Sequence, residues 1–355
     1  MSKSDKVRFG FVGTGQITAS AAASINAHPH GKVVAAFDLS EVRVKDFCGK
    51  HGIAHPCTSL EALLADDQVD ALYIATPNKF HAPTAELALK AGKHVILEKP
   101  FAMNLAEAQA AADLAKAKGL TLSVGMNQRF NPDSQKIKAA VEAGELGEIY
   151  HAKAHWRRRT GIPKMGTWFG NRELAGGGAL YDIGVHMLDL AMYTMGNFEP
   201  VTVSGVTYSK FGPRGLGEGG WGMSDKSEIT FDVDDFASAF IRLANGATVT
   251  LEAVWACHTL KANSNDVELF GTEAGATVVP AQIFRTSQHD NAAYEILEQL
   301  KDPKKPGMSD RFVNFIEHLH DGSPLCCTLD QALAVQKVLD GIAESSRTGR
   351  EVVLA

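Results

Sequence analysis

Asp182 and His186 stand four residues apart, just behind Gly176-Gly177-Gly178. Three glycines allow a close backbone approach and lead into a helix. Helical positions four apart share one face, about a turn from each other. A carboxylate beside an imidazole sets its tautomer and stabilises its charged form, which suits general acid–base catalysis. The spacing equally fits an ordinary surface pair. A second candidate is Lys99, in Glu98-Lys99-Pro100 after the apolar run 94–97. Ligands bind at the carboxyl ends of parallel strands, and an amine there suits negative charge developing on an oxygen. Alone, it also reads as a solvated strand-end lysine.

A third group belongs to a nucleotide. Gly13-Thr14-Gly15-Gln16-Ile17-Thr18 follows the apolar run 7–12 and opens a helical stretch. Gly13 permits a tight turn, and Gly15 lacks the Cβ that would block a pyrophosphate at a helix N-terminus. Thr18 stands where the dinucleotide fingerprint has its third glycine. Asp38 lies at the end of the next apolar run, about twenty residues on as the fingerprint requires. A carboxylate there accepts both ribose hydroxyls and repels a 2′-phosphate, which favours NAD over NADP. Arg43 softens that preference. The alternative is a plain βαβ turn with Asp38 capping a helix.

The substrate side falls on His155-Trp156-Arg157-Arg158-Arg159, followed by a loop with Trp168 and Phe169. Aromatic faces suit sugar rings, and arginine suits carboxylate or phosphate. Arg157, Arg158 and Trp168 are therefore candidate substrate residues, with an acidic or phosphorylated sugar possible. The same side chains also fit a sheet cover or a subunit contact. The pairs His28/His30, His151/His155 and His318/His320 have no third ligand at an obvious position, so no metal site is expected. Cys326 and Cys327 read as core.

Continuous apolar runs at 7–12, 32–37, 71–75, 94–97 and 121–125 alternate with helical stretches such as 83–91 and 104–118. That pattern predicts a parallel, doubly wound sheet. Beyond Arg129, runs at 148–157, 201–210, 228–243, 247–256 and 266–270 include period-two alternation, and Asn245-Gly246 signals a type I′ hairpin. They predict an α+β domain with a large, open, mostly antiparallel sheet. After a linker at Pro303–Pro306, a helix capped by Ser309 carries Phe312, Phe315, Ile316 and Leu319, and a last helix spans 329–347. The expected domains are 1–128, 129–328, and a tail 329–355 packing back on the first.

With 355 residues, 45% hydrophobic and 21% charged, the chain is long enough for two domains and too apolar for a disordered one. A net charge of −6 argues against nucleic acid as the main partner. Five cysteines without a CxxC spacing argue against a disulfide framework. No apolar run is long enough for a bilayer, and an early strand leaves no room for a signal peptide, so a soluble cytoplasmic protein is expected.

In this order the motifs resemble the glucose–fructose oxidoreductase / inositol dehydrogenase (Gfo/Idh/MocA) family over almost the whole chain. The matching stretches are Gly13-Thr14-Gly15, Thr76-Pro77-Asn78 with His81, Glu98-Lys99-Pro100, Asn127 with Arg129, the segment Asp182–His186, the turn Gly271–Gly275 and the ending from Gly349. The resemblance implies an α/β fold: a Rossmann domain for NAD, or NADP, followed by a domain whose open sheet serves a homo-oligomer, dimer or tetramer. It implies hydride transfer between the nicotinamide and a hydroxyl or carbonyl carbon of a sugar, sugar acid or cyclitol. Lys99, Asp182 and His186 match catalytic positions. Thr76, Pro77, Asn78 and His81 match the loop lining the cofactor, Glu98 a residue near the nicotinamide ribose, and Asn127 goes with the cofactor set. His186 is then the base for the hydroxyl proton, Asp182 orients it, and Lys99 binds the reacting oxygen. Two rivals stay open: glycoside cleavage through a transient keto-sugar, and an NAD(P)- or sugar-sensing protein without catalysis.

Overall fold

In the first third of the chain, strands are apolar on both faces because helices cover both faces of their sheet. The computed structural model describes residues 6–222, 230–286, 294–297, 300, 303 and 307–354. The chain divides into two compact units, residues 1–126 with 305–333, and residues 127–304 with 334–355.

The first unit opens with β1 (Val7–Val12), α1 (Thr18–Ala27), β2 (Gly31–Phe37), α2 (Glu41–His51), β3 (His55–Pro56), α3 (Leu60–Ala65) and β4 (Ala71–Ile74). It continues with α4 (His81–Lys90), β5 (His94–Leu97), α5 (Leu105–Lys118) and β6 (Leu122–Val124). The strands form a parallel sheet in the order β3-β2-β1-β4-β5-β6. The order reverses direction beside β1, so β1 and β4 bracket the point where such sheets bind ligands. β3 was not expected; two exposed residues carry no apolar pattern to reveal it.

The second unit contains α6 (Pro132–Glu142), β7 (Ile149–Arg158), α7 (Arg172–Ala175), α8 (Val185–Met195), β8 (Pro200–Tyr208), β9 (Phe236–Leu243), β10 (Thr248–Val254) and β11 (Asn263–Gly271). Three shorter strands follow: β12 (Gly275–Thr277), β13 (Gln282–Thr286) and β14 (Tyr294–Leu297). Asn245-Gly246 turns β9 into β10, with Gly246 at φ +88°. The expected strand 228–243 begins only at Phe236, and its first two residues lie outside the described residues.

Much of the expected linker Pro303–Pro306 also lies outside them. The next helix, α9 (Arg311–Asp321), belongs to the first unit rather than the second. Its apolar stripe, Phe312, Phe315 and Ile316, is buried with Phe9, Phe11 and Tyr73. Its cap is Asp310, not Ser309: Asp310 Oδ1 accepts from the amides of Phe312 (2.6 Å) and Val313 (3.0 Å).

The last elements are α10 (Leu329–Thr348) and β15 (Val352–Val353). The expectation that the tail packs back on the first unit is corrected from Ala334 onward. β15 pairs with β8, and the hydroxyls of Ser345 and Ser346 accept from the amides of Gly205 and Thr207, each at 2.9 Å. The described sheet of this unit runs β14-β13-β12-β11-β7-β10-β9-β8-β15, antiparallel except between β7 and β10. A segment returning to an earlier core leaves no mark in a linear reading, because burial depends on which surface the stripe meets.

Candidate active site

Gly13 sits at φ +91°, and a Cβ there would come within 2.6 Å of the Ala75 carbonyl. The turn after β1 therefore needs glycine on both counts. A Cβ on Gly15 would meet nothing within 4 Å, so open space lies in front of the turn. α1 begins without a side-chain cap or an acidic residue in its first turn, leaving its positive end for an anion. Gln16 and Ile17, beside it, are exposed. Thr18 donates to the Gly15 carbonyl at 2.6 Å, so the residue replacing the third glycine braces the turn.

Asp38 does more than the sequence suggested. Its Oδ2 accepts from Thr14 N and Oγ1, both at 2.9 Å, and its Oδ1 from Ser40 N and the Arg43 guanidinium, both at 2.9 Å. Burial raises this carboxyl, but the bonds from Ser40, Arg43 and Thr14 outweigh it and hold Asp38 below the ordinary range. It ties the β1 turn to the end of β2. Arg43 pairs with Asp38 while its own side chain stays half exposed.

Thr76 and Pro77 follow β4, and Asn78 is buried at the start of a short 3-10 turn. Thr76 Oγ1 is buried with no hydrogen-bond partner among the described residues, a polar atom that a ligand could satisfy. His81, expected to line the cofactor, is instead 1% exposed and set between the carbonyls of Pro100 (2.7 Å) and Thr76 (3.0 Å). A neutral ring donates to one of them. Burial lowers its pKa against the pull of those carbonyls. His81 thus joins the loops after β4 and β5.

Lys99 is half-buried at the end of β5, which argues against a merely solvated lysine. Glu98 before it accepts from Tyr73 Oη at 2.5 Å and from the Arg311 guanidinium. Burial, then the Glu98 charge, raises the Tyr73 hydroxyl well above its ordinary value, and Arg311 stays a cation. The β5 end is therefore pinned by a buried triad that includes a residue 213 positions away.

In the second unit, Leu180–Gly184 forms a π-helical turn that runs into α8. From Gly177 to Thr194 every residue is buried except Asp182 and His186, which are half-buried. A surface ion pair on a solvated face would have exposed neighbours; this segment has none. Asp189 and Thr194 are buried with the apolar residues, and only Asp182 and His186 open onto accessible space. Trp255 Nε1 donates to Asp182 Oδ2 at 2.9 Å, and the Trp156 ring lies 6.2 Å from the His186 ring. Arg158 stacks on Trp156 at 4.5 Å; burial lowers its pKa, and Asp182 opposes that.

Arg157 is separated from this cluster by strand alternation. It faces Glu252 (3.4 Å) on the opposite side of β7, in an open concavity of about 810 Å³ shared with Lys153, Ser204, Val206 and Phe240. The expectation that Arg157 binds substrate together with Arg158 is corrected on that ground. Trp168 stacks on Phe169 at 3.8 Å in a loop of the same unit. Asn127 begins a 3-10 turn at the start of this unit.

Residues 7–126 match the model of the oxidoreductase family with an NAD-binding Rossmann fold, and residues 134–277 match the GFO/IDH/MocA C-terminal domain. The D-glucoside 3-dehydrogenase of Escherichia coli K12 is 31% identical over 353 residues, covering 99% of this chain and 98% of that protein. The chain belongs to the Gfo/Idh/MocA oxidoreductase family. Among solved structures, an NAD-binding protein from Listeria innocua is 27% identical with a TM-score of 0.79, covering 98% of this chain and 97% of that one. Levoglucosan dehydrogenase in complex with NADH and L-sorbose shares the fold, at 22% identity and a TM-score of 0.85 over 99% of each chain.

The protein is therefore an NAD-binding oxidoreductase, and the first unit fits that group: an open Gly15, an uncapped α1, and an orphaned Thr76 hydroxyl. Several supporting residues escaped the sequence reading. Trp255, Asp234, Tyr73 and Arg311 lie in no motif, and their partners are 25 to 213 residues away. Trp255 carried one usable signal, a large aromatic with a polar edge that must be satisfied when buried. Among the described residues no group of three His, Cys, Asp or Glu side chains is placed to hold a metal, and no helix is long and apolar enough to cross a membrane.

Proposed function

We propose that this oxidoreductase oxidises a secondary hydroxyl of a sugar or glycoside, or reduces the corresponding ketone. The observation that carries the reading is the enclosed helix on which Asp182 and His186 alone remain accessible. The full-length similarity to a D-glucoside 3-dehydrogenase supports a carbohydrate substrate.

A bound NAD would supply the acceptor for the hydride of the carbinol carbon. His186 removes the hydroxyl proton; imidazole is the side chain whose chemistry suits a base near neutral pH. Asp182, held by Trp255, orients the ring and stabilises it once charged. Lys99 donates to the reacting oxygen and steadies its developing charge. Trp156 and Arg158 give an aromatic face and a cationic edge beside His186. Asp182 next to Arg158 offsets its charge, which favours a neutral sugar over an acidic one.

The test is absorbance at the reduced-nicotinamide band during a screen of polyols, aldoses, uronic acids and glycosides with NAD and NADP. Net signal with neutral sugars or glycosides is expected. Glycoside loss without signal would mean redox-assisted cleavage, and silence throughout would mean a sensor. His186→Ala should lower turnover by about 10²–10⁴-fold with NADH affinity unchanged; near-normal turnover refutes its role. We further infer a cytoplasmic homo-oligomer joined through the open face of the second sheet. Five free cysteines suit a reducing compartment, and the exposed Val206 and Tyr208 of β8 suit a subunit contact.

A further inference from the structure

The segment Asp232–Asp235, which leads into β9, joins three loops of the second unit. Asp232 Oδ1 accepts from Arg172 N at 2.6 Å, and its own amide donates to the Gly170 carbonyl at 3.0 Å. Asp235 gathers the amides of Lys210, Phe211 and Gly212, the last at 2.9 Å. Asp234, 5% exposed, turns the other way, to the start of the segment that bears Asp182 and His186. Its Oδ1 accepts from Gly178 N at 2.7 Å, its Oδ2 from Leu180 N at 2.9 Å, and its carbonyl from Ala179 N at 3.0 Å.

These are the amides a helix start leaves without partners, and Ala179 at that start supplies no side-chain cap. A carboxylate 56 residues away does so instead. The approach is so close that a Cβ on Gly178 would collide with the Asp234 carbonyl, which gives the third glycine of the run its reason. The neighbouring residue completes a clamp. Asp235 O accepts from Trp255 N at 2.9 Å, and Trp255, fully buried, sends its indole N–H to Asp182 at 2.9 Å. One stretch of chain thus fixes both the beginning of the segment and the orientation of its carboxylate.

We propose that Asp234 and Trp255 are positioning residues for the acid–base step, setting the place and orientation of Asp182 and thereby of His186. This rests on the roles given above to Asp182 and His186. Neither residue needs to touch substrate or cofactor. Misplacement of a reacting group by about an ångström is enough to cost a hundredfold in rate.

The experiment compares Trp255→Phe, Asp234→Asn and His186→Ala in steady-state kinetics across pH, with NADH binding followed by fluorescence. Trp255→Phe keeps an aromatic ring but removes the donor to Asp182, whose charged form then loses a hydrogen bond; Arg158 is the cation that still faces it. Its kcat should fall about tenfold, KM and NADH affinity should stay within about twofold, and the acid limb of the kcat profile should move to higher pH. Asp234→Asn sets an amide N–H against a backbone N–H and should lower kcat about ten- to a hundredfold, with Asp234→Glu recovering part of it. If Asp234→Asn does not fold, Trp255→Phe decides alone. A Trp255→Phe enzyme with normal kcat and an unmoved acid limb overturns the proposal, provided His186→Ala is impaired. A fully active His186→Ala enzyme overturns the assignment of the base itself, whatever the other variants do.

Discussion

Arg311 and Glu98 illustrate how much depends on one pair of buried charges. Their side chains are 10% and 14% exposed, and Tyr73 adds its hydroxyl to the same carboxylate. Removing one partner from such a pair strands the other, at a cost of about 3–5 kcal/mol. Arg311→Met should therefore lower the unfolding free energy measured by urea titration by that amount and reduce NADH affinity, since the Lys99 strand end loses its anchor. An unfolding free energy within about 0.5 kcal/mol of the parent would show that the pair is dispensable. Cys48 gives a contrasting case. Burial pushes its thiol up to about 11, so little thiolate is present at pH 8. Alkylation of Cys48 should require unfolding, which mass spectrometry of iodoacetamide-treated native protein reads directly.

Among the elements, the turn from β1 into α1 carries the cofactor claim most heavily. Gly13→Ala places a Cβ against the Ala75 carbonyl at a positive φ, so strain and collision act together. The expected outcome is a loss of about 1–3 kcal/mol in stability and at least tenfold weaker NADH binding, measured by thermal shift and fluorescence titration. A Cβ at Gly15 meets no atom of the chain within 4 Å, so Gly15→Ala should leave stability nearly unchanged while weakening NADH binding. If Gly15→Ala binds NADH normally, the phosphate does not approach there. The parallel, doubly wound character of the first sheet was legible because parallel strands buried on both faces are continuously apolar. The short β3 was not legible because it has no run of apolar residues, and the start of β9 was placed too early because Ile229, Phe231 and Val233 extend the strand's apolar alternation upstream in the sequence.

For the molecule as a whole, acid stability follows from its histidines. Burial lowers the pKa of His81, His94, His151 and His155 in the folded state. In the unfolded chain these rings take up protons at about pH 6.5. Below that value the unfolded state binds more protons, so stability present above it is lost as pH falls toward the folded values. The melting temperature should decline between pH 7 and pH 5, less so in His81→Gln, and a flat profile would contradict the burial of these rings. The chain's motifs already specified a dinucleotide turn, a strand-end lysine and a carboxylate–imidazole pair, because each is a local pattern of residue type and spacing. They could not specify that α9 returns to the first core, that the tail from Ala334 joins the second sheet, or that Arg157 and Arg158 face opposite sides of β7 in their packed setting. Nor could they reveal Asp234 as the cap and Trp255 as the donor behind Asp182 and His186. Those facts arise from contacts between distant residues, and hydrogen-bond partners are chosen by packing in three dimensions rather than by proximity along the chain.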